Sequence, residues 1–286
     1  MKVTYFTPRH RYKPISLTGS WCALNCKFCN RRFLENMIHV NPRDFVKIVG
    51  ELYEVGVRGI LVSGGFRRDG TLPIEPYIEP LRRVKRAYKL VVSAHLGLVT
   101  NRAVLEELKG LIDVVDYEFS LSPFIVNEVR GLNSPLSMYL KALEALMETG
   151  LHIVPHVFAW HPRFDLELFK RELKVLEDRG VKEITLLVYI DHSMWRESIK
   201  IAEAVIKSVE TAREYFSGRL YMGCMRPGFI KPIVDPVLVE KELVERVANP
   251  HHRVVEKYPH DTYDACCSIP LDNETKEIFR LTSKQA

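Results

Sequence analysis

Short β-branched apolar runs recur along the chain, separated by segments whose apolar residues return every three or four positions. The runs at 15–18, 59–62, 90–93, 114–120, 152–158, 184–190 and 219–223 read as strands. Ile184-Thr185-Leu186-Leu187-Val188-Tyr189-Ile190 is almost continuously apolar, as expected of a parallel strand covered on both faces. Helical spacing occupies 41–56, 74–87, 102–109, 136–149, 166–179 and 198–216. In the last, Ile199, Ala202, Val205, Ile206, Val209 and Ala212 share one face. Asn41-Pro42 opens the first helix with a capping residue and a proline at its first position. Glycines at 56, 110, 150, 180 and 218 sit where the helical patterns end, as C-terminal caps do.

Strand–helix alternation of this kind predicts an α/β fold with a parallel sheet and right-handed crossovers. Six or more units predict a partial or near-complete (β/α) TIM-like barrel. The tail after Gly223 departs from the pattern, with Met225-Arg226-Pro227-Gly228, a helix-like 237–248 and a cysteine-bearing end. The expected division is a barrel core over 1–223 and a C-terminal extension over 224–286 packed on it. No stretch approaches the roughly 18–20 unbroken apolar residues of a membrane span. The first ten residues lack the apolar core of a secretory signal, so a cytoplasmic address is the expectation.

Lys and Arg total 41 against 36 Asp and Glu, a mild excess spread along the chain. It reads as a solvated surface or as attraction to an acidic partner. No basic run with interleaved aromatics favours nucleic acid. A single glutamine, Gln285, in a chain rich in Lys, Glu and Arg fits a thermophile. The six cysteines are too few for a disulfide framework, and three fall at Cys22, Cys26 and Cys29, which reads as metal binding.

The segment Trp21-Cys22-Ala23-Leu24-Asn25-Cys26-Lys27-Phe28-Cys29 follows the first strand, in a loop at the C-terminal face of a barrel, where catalytic groups gather. Three thiolates on a short loop can hold three corners of a cubane [4Fe–4S] cluster and leave one iron open to a small molecule. A zinc site is the alternative. It would need His10 or His39 as a fourth ligand, since no second Cys-x-x-Cys knuckle follows nearby.

Cys-x3-Cys-x2-Cys with an aromatic before the last cysteine resembles the signature of the radical S-adenosylmethionine (SAM) superfamily. The resemblance implies that Cys22, Cys26 and Cys29 ligate the cluster and that Phe28 lies against the adenine. The open iron would chelate the amino and carboxylate groups of SAM. One electron from the reduced cluster would break the sulfonium bond, and the 5′-deoxyadenosyl radical would take hydrogen from substrate. Leu61-Val62-Ser63-Gly64-Gly65-Phe66 resembles the family's Gly-Gly-Glu segment, whose backbone at Ser63, Gly64 and Gly65 would hold the methionine ammonium. Phe66 stands where the family often has Glu. Ser93, His95, Ser120 and His156 fall in or at the ends of later strands. They suit contacts with ribose, carboxylate or substrate, or ordinary hydrogen bonding inside a barrel.

Cys224 follows the seventh strand run, and Cys266 and Cys267 are adjacent in the tail. A lone cysteine is usually a small buried hydrophobe. Adjacent cysteines in a loop can both turn to one metal. With Ser268 as the nearest non-cysteine ligand, and Asp264 or Arg226 behind it, they predict an auxiliary [4Fe–4S] cluster. Within the superfamily this arrangement resembles sulfur-inserting enzymes such as biotin and lipoyl synthases, and residues 14–270 are most similar to the two-component lipoyl synthases of archaea. That resemblance implies sulfur insertion into an octanoyl-lysine chain on a lipoyl carrier protein. It also implies a homologous second radical SAM subunit and an electron donor such as ferredoxin or flavodoxin. Biotin-type insertion, glycyl-radical activation and a non-catalytic metal-cluster protein are the alternatives.

Overall fold

The computed structural model describes residues 3–27, 29–132 and 134–282. Its strands are β1 (Thr4–Phe6), β2 (Tyr12–Ser16), β3 (Ile38–His39), β4 (Gly59–Ser63), β5 (Val91–Ala94), β6 (Val114–Glu118), β7 (Ile153–Trp160), β8 (Glu183–Val188), β9 (Arg219–Met222), β10 (Arg246–Ala248) and β11 (Thr262–Tyr263). The helices are α1 (Arg32–Glu35), α2 (Phe45–Glu54), α3 (Ile78–Ala87), α4 (Arg102–Leu108), α5 (Ser137–Glu148), α6 (Leu166–Asp178), α7 (Ser198–Tyr215), α8 (Lys231–Glu240), α9 (His252–Lys257) and α10 (Asn273–Phe279). Among the described residues no helix is long and apolar enough to cross a membrane.

Two compact units result. One comprises Pro8–Ile153 with Ile269–Phe279; the other comprises Val154–Ser268 with the residues up to Thr7 and those from Arg280. In the first unit the strand order is β3-β2-β4-β5-β6, and every pairing is parallel. Ile15, Ile60, Val62 and Val92 are fully buried, each contributing about 1.5–3 kcal/mol of transfer free energy. Because the strands are parallel, the loops after β2, β4, β5 and β6 all leave one edge of this sheet. That shared edge positions the site described below. In the second unit the order is β11-β1-β10-β9-β8-β7, again parallel. β1, from the start of the chain, is flanked by two strands of the tail and buries Tyr5 and Phe6 completely.

The seven strand runs appear as β2 and β4–β9. The six helical patterns appear as α2–α7, with three differences. Helix α2 starts at Phe45, because the Asn41 side-chain oxygen accepts from the amides of Arg43 (2.9 Å) and Asp44 (3.1 Å) and holds a turn there. Ile199, in the first turn of α7, is exposed, and Ile201 joins the buried face instead. Gly218 is not a cap: α7 ends at Tyr215, and a β-carbon at 218 would lie 2.5 Å from the Lys182 carbonyl oxygen. The helix-like 237–248 divides between the end of α8 and β10, with Glu242 in a left-handed conformation (φ 49°) between them.

Candidate active site

The cysteine loop begins where β2 ends and is fastened to the loop after β4 by a run of hydrogen bonds. The Leu17 amide donates to the Ser63 carbonyl (2.8 Å) and the Ala23 amide to the Phe66 carbonyl (2.9 Å). The Thr18 hydroxyl donates to the Trp21 carbonyl (2.9 Å) and accepts from the Gly65 amide (2.6 Å). The glycine pair permits this approach. A β-carbon on Gly65 would overlap the Trp21 carbonyl oxygen and lie 2.5 Å from Cys22 Cα, and one on Gly64 would lie 3.0 Å from Thr18 Oγ1.

Cys22 and Cys26 are buried and Cys29 is half-buried. Left-handed residues Asn25 (φ 49°), Asn30 (45°) and Arg31 (63°) turn the chain around them. The Phe66 amide donates to Cys22 Sγ (3.4 Å), and the Arg31 amide donates to Cys29 Sγ (3.2 Å). Burial pushes the Cys26 thiol up to about 12; nearby Arg130 opposes this, while Glu118, Cys29 and Cys22 add to it. Burial also raises Cys29, against its bond from the Arg31 amide. Thiolates in so buried a loop call for a cation beside them, which a bound metal would supply. Among the described residues no three His, Cys, Asp or Glu side chains converge on a single-ion site. A cubane spreads its ligands more widely, and this donor set fits one. Phe28 lies outside the described residues. A cavity of about 390 Å³, lined by Ser20, Asn25, Asn30, Arg31 and Glu35, opens beside the loop.

At the strand ends, Ser63 Oγ lies 3.1 Å from His95 Nδ1, and His95 Nε2 lies 3.9 Å from Asp116 Oδ2. Asp116 has no exposed side-chain surface. Ser93 is buried and bonded to the Tyr12 hydroxyl, and the buried Ser120 hydroxyl accepts from the Ser122 amide (3.1 Å). Ser63 and His95 are therefore brought together, whereas Ser93 and Ser120 are engaged within the protein. His156 stands in β7, in the other unit, half-buried and in register with Thr185.

The sequence reading passed over Arg130. This buried side chain sits 3.1 Å from Glu118 through Nε, misaligned for a hydrogen bond but close enough for an ion pair. It also donates to the Tyr139 hydroxyl (2.9 Å) and lies 5.8 Å from the Phe66 ring centroid. A π-helical turn over Phe124–Val129 delivers it, and the Val129 carbonyl accepts from the Lys27 amide (2.9 Å). Asp116 and Glu118 were legible in part, since two acids at alternate positions of an apolar strand run are unusual.

In the second unit, Cys224 is exposed in the loop after β9, and Cys266 and buried Cys267 lie in the loop after β11. Cys266 Sγ and Ser268 Oγ are 3.2 Å apart. β10 and β1 stand between these loops' strands, a separation of about 14 Å at the backbone from strand spacing. Arg226 is not free to serve as a ligand. Its guanidinium is fully buried, paired with Asp235 (3.0 Å) and bonded to the carbonyls of Gly223, Ala248 and Asn249.

A family profile described as the Radical SAM superfamily matches residues 16–159, half of the chain and all of the cysteine loop. The chain belongs to the radical SAM superfamily. Membership implies a [4Fe–4S] cluster and SAM as cofactors, and the α/β architecture is that of the radical SAM partial barrel. Solved structures agree on the fold. HydG, a maturase of the [FeFe]-hydrogenase, has a TM-score of 0.55 at 14% identity, covering 86% of this chain and 57% of HydG. Methylornithine synthase (PylB) gives 0.56 at 11% identity, over 86% of this chain and 72% of PylB. SuiB of Streptococcus suis, bound to the precursor peptide SuiA, gives 0.53 at 14% identity, over 94% of this chain and 54% of SuiB. The chain thus spans little more than half the length of HydG or SuiB. At these identities the likeness is one of fold. No curated protein matches the chain.

Proposed function

We propose that this radical SAM protein inserts sulfur into an unactivated C–H bond, and that its substrate is an octanoyl-lysine side chain on a lipoyl carrier protein. Cys22, Cys26 and Cys29 would hold the catalytic cluster, and the carrying observation is their shared loop, clamped against Gly64-Gly65. When bound, cluster and SAM supply a one-electron cleavage of the sulfonium and a 5′-deoxyadenosyl radical for hydrogen abstraction. The chain's own residues do the rest. The amides of Phe66 and Arg31 hydrogen-bond two ligand sulfurs and so stabilise added negative charge there. Ser63 and His95, joined at 3.1 Å, offer a hydroxyl and an imidazole to the polar groups of a ligand at the same sheet edge. Phe28, Gly64, Gly65, Ser93, Ser120 and His156 are assigned to SAM or substrate by motif position.

The sulfur source in this reading is an auxiliary cluster on Cys224, Cys266, Cys267 and Ser268, for which the Cys266–Ser268 proximity is the support. A homologous second subunit and a ferredoxin or flavodoxin complete the system. A second reading, in which one cluster performs another radical SAM reaction such as glycyl-radical activation, is favoured by the two strands between the loops of Cys224 and Cys266. Anaerobic reconstitution followed by SAM, reductant and an octanoyl-lysine peptide separates them. The sulfur-insertion reading expects about eight irons per chain, 5′-deoxyadenosine and a thiolated product. About four irons with deoxyadenosine and no thiolation would leave the second reading standing. Iron-free protein, or no deoxyadenosine, would overturn both.

A further inference from the structure

Two buried arginines differ in how their charge is met. Arg226 spends its donors on both oxygens of Asp235 and on the carbonyls of Gly223, Ala248 and Asn249. Arg130 does not. Among the described residues it makes one directed hydrogen bond, to the Tyr139 hydroxyl (2.9 Å). Its Nε lies 3.1 Å from Glu118 Oε1, yet neither atom gains a hydrogen bond there. The Phe66 ring centroid, 5.8 Å away, adds a weak third contact. Five N–H groups on a permanent cation are thus met by a hydroxyl, a misaligned carboxylate and a ring. Glu118 also keeps 20% of its side-chain surface exposed against 4% for Arg130, so water screens the anion more than the cation. A charge buried in that condition is costly unless a further anion offsets it.

The backbone sets this cation against the cysteine loop. The Arg130 amide donates to the Ile125 carbonyl (3.0 Å) and closes the π-helical turn, while the Val129 carbonyl accepts from the Lys27 amide (2.9 Å). That link joins the residue before Arg130 to the residue after Cys26. Burial raises the Cys26 thiol, and Arg130 acts against this rise more strongly than Glu118 adds to it. At Cys26 the field of the pair is therefore that of its cation.

We propose that Arg130 is an electrostatic positioning residue, the buried counter-cation of the three-cysteine site, and that it favours the reduced state, which carries one more negative charge. This rests on the radical SAM reading of the loop. In the reduction it favours, a low-potential donor loses one electron and the site gains one. No bond changes and no proton moves.

The test is an anaerobic redox titration of the reconstituted full chain without SAM, using titanium(III) citrate as the one-electron reductant and electron paramagnetic resonance as the readout. E118Q removes the opposing carboxylate and should make reduction easier. E118Q/R130M removes the cation without leaving a lone buried carboxylate. Its equilibrium constant for reduction should be at least about tenfold lower than that of E118Q, a fall of about 59 mV. R130K keeps the charge and should stay within about threefold of wild type. Should E118Q/R130M not fold, E118Q/R130Q replaces it under the same expectation. A loop merely loosened by these changes admits water, which favours the more highly charged reduced site. A potential in the double variant equal to or above that of E118Q would therefore assign Arg130 a packing role and overturn the proposal. An R130K potential as low as that of the double variant overturns it too. Variants that weaken SAM binding in equilibrium dialysis but leave the potential unmoved would give the cation to the SAM carboxylate instead, again against the proposal. Each of these results leaves the radical SAM reading intact, whereas a wild-type chain that takes up no iron removes that reading and the proposal with it.

Discussion

Gly65 shows how one missing β-carbon governs the candidate site. Its amide is held by Thr18, its neighbour Phe66 donates to Cys22 Sγ, and the Trp21 carbonyl occupies the space a side chain would need. The clash is with backbone, so no rotamer change relieves it. In Gly65→Ala the cysteine loop must withdraw from the β4 loop, and iron retained after anaerobic reconstitution should fall to less than half of wild type. Unchanged iron uptake would show that the clamp is dispensable. His161, a loop residue of no assigned role, shows a different single-residue effect. Burial beside Phe164 lowers its pKa from 6.5 to about 4. The unfolded chain therefore binds this proton between those values while the folded chain does not. No stability is lost above about pH 7, and stability falls as pH drops from about 6.5 toward 4, by roughly 2 kcal/mol at pH 5. Urea melts of wild type and His161→Phe at pH 8 and pH 5 should differ in their pH 5 deficit by about that amount; parallel deficits would contradict it.

At the scale of elements, what could be read in advance followed from locality. The runs that became β4, β8 and β9 announce themselves because nearly all of their residues are buried. β1, β3, β10 and β11 are two or three residues long and carry no period. Val247 illustrates the cost: with Val239 and Val244 it continues a helical spacing, yet it pairs with Tyr5 on one side and Met222 on the other. Only the return of the N-terminus to the tail reveals it. The site divides the same way. Cys22, Cys26, Cys29 and Gly64-Gly65 are legible because their chemistry depends on neighbours in sequence. Arg130, Glu118 and Asp116 acquire meaning only when β6 and the π-helical turn are set beside β2, β4 and β5. Arg226 drew notice as a candidate ligand behind Ser268. Its five N–H groups are instead consumed in joining the β9 loop to α8 and to the end of β10, which is structural work a motif reading does not anticipate.

For the molecule as a whole, the two sets of cysteines lie in different compact units, and this gives the number of clusters a spatial signature. Metal that binds the folded but not the open form of a loop stabilises that loop's closed state, so amide exchange slows where ligands and their hydrogen-bond partners are held. In the first unit the cysteine loop is bonded to 63–66 and, through Lys27, to the turn before Arg130. Loading the three-cysteine site should therefore protect 17–31, 63–66 and 126–132 together. In the second unit, a cluster bridging β9 and β11 must draw in loops whose strands are about 14 Å apart, protecting 223–228 and 264–269. Hydrogen exchange measured by mass spectrometry before and after reconstitution reads both patterns in one experiment. Protection of both groups of segments is the expected outcome for sulfur insertion. Protection confined to the first group would mean that Cys224, Cys266 and Cys267 hold no cluster, and the assignment would narrow to a radical SAM reaction that needs one. Protection in neither would separate iron uptake from the cysteine loops altogether and remove the geometric basis for the site.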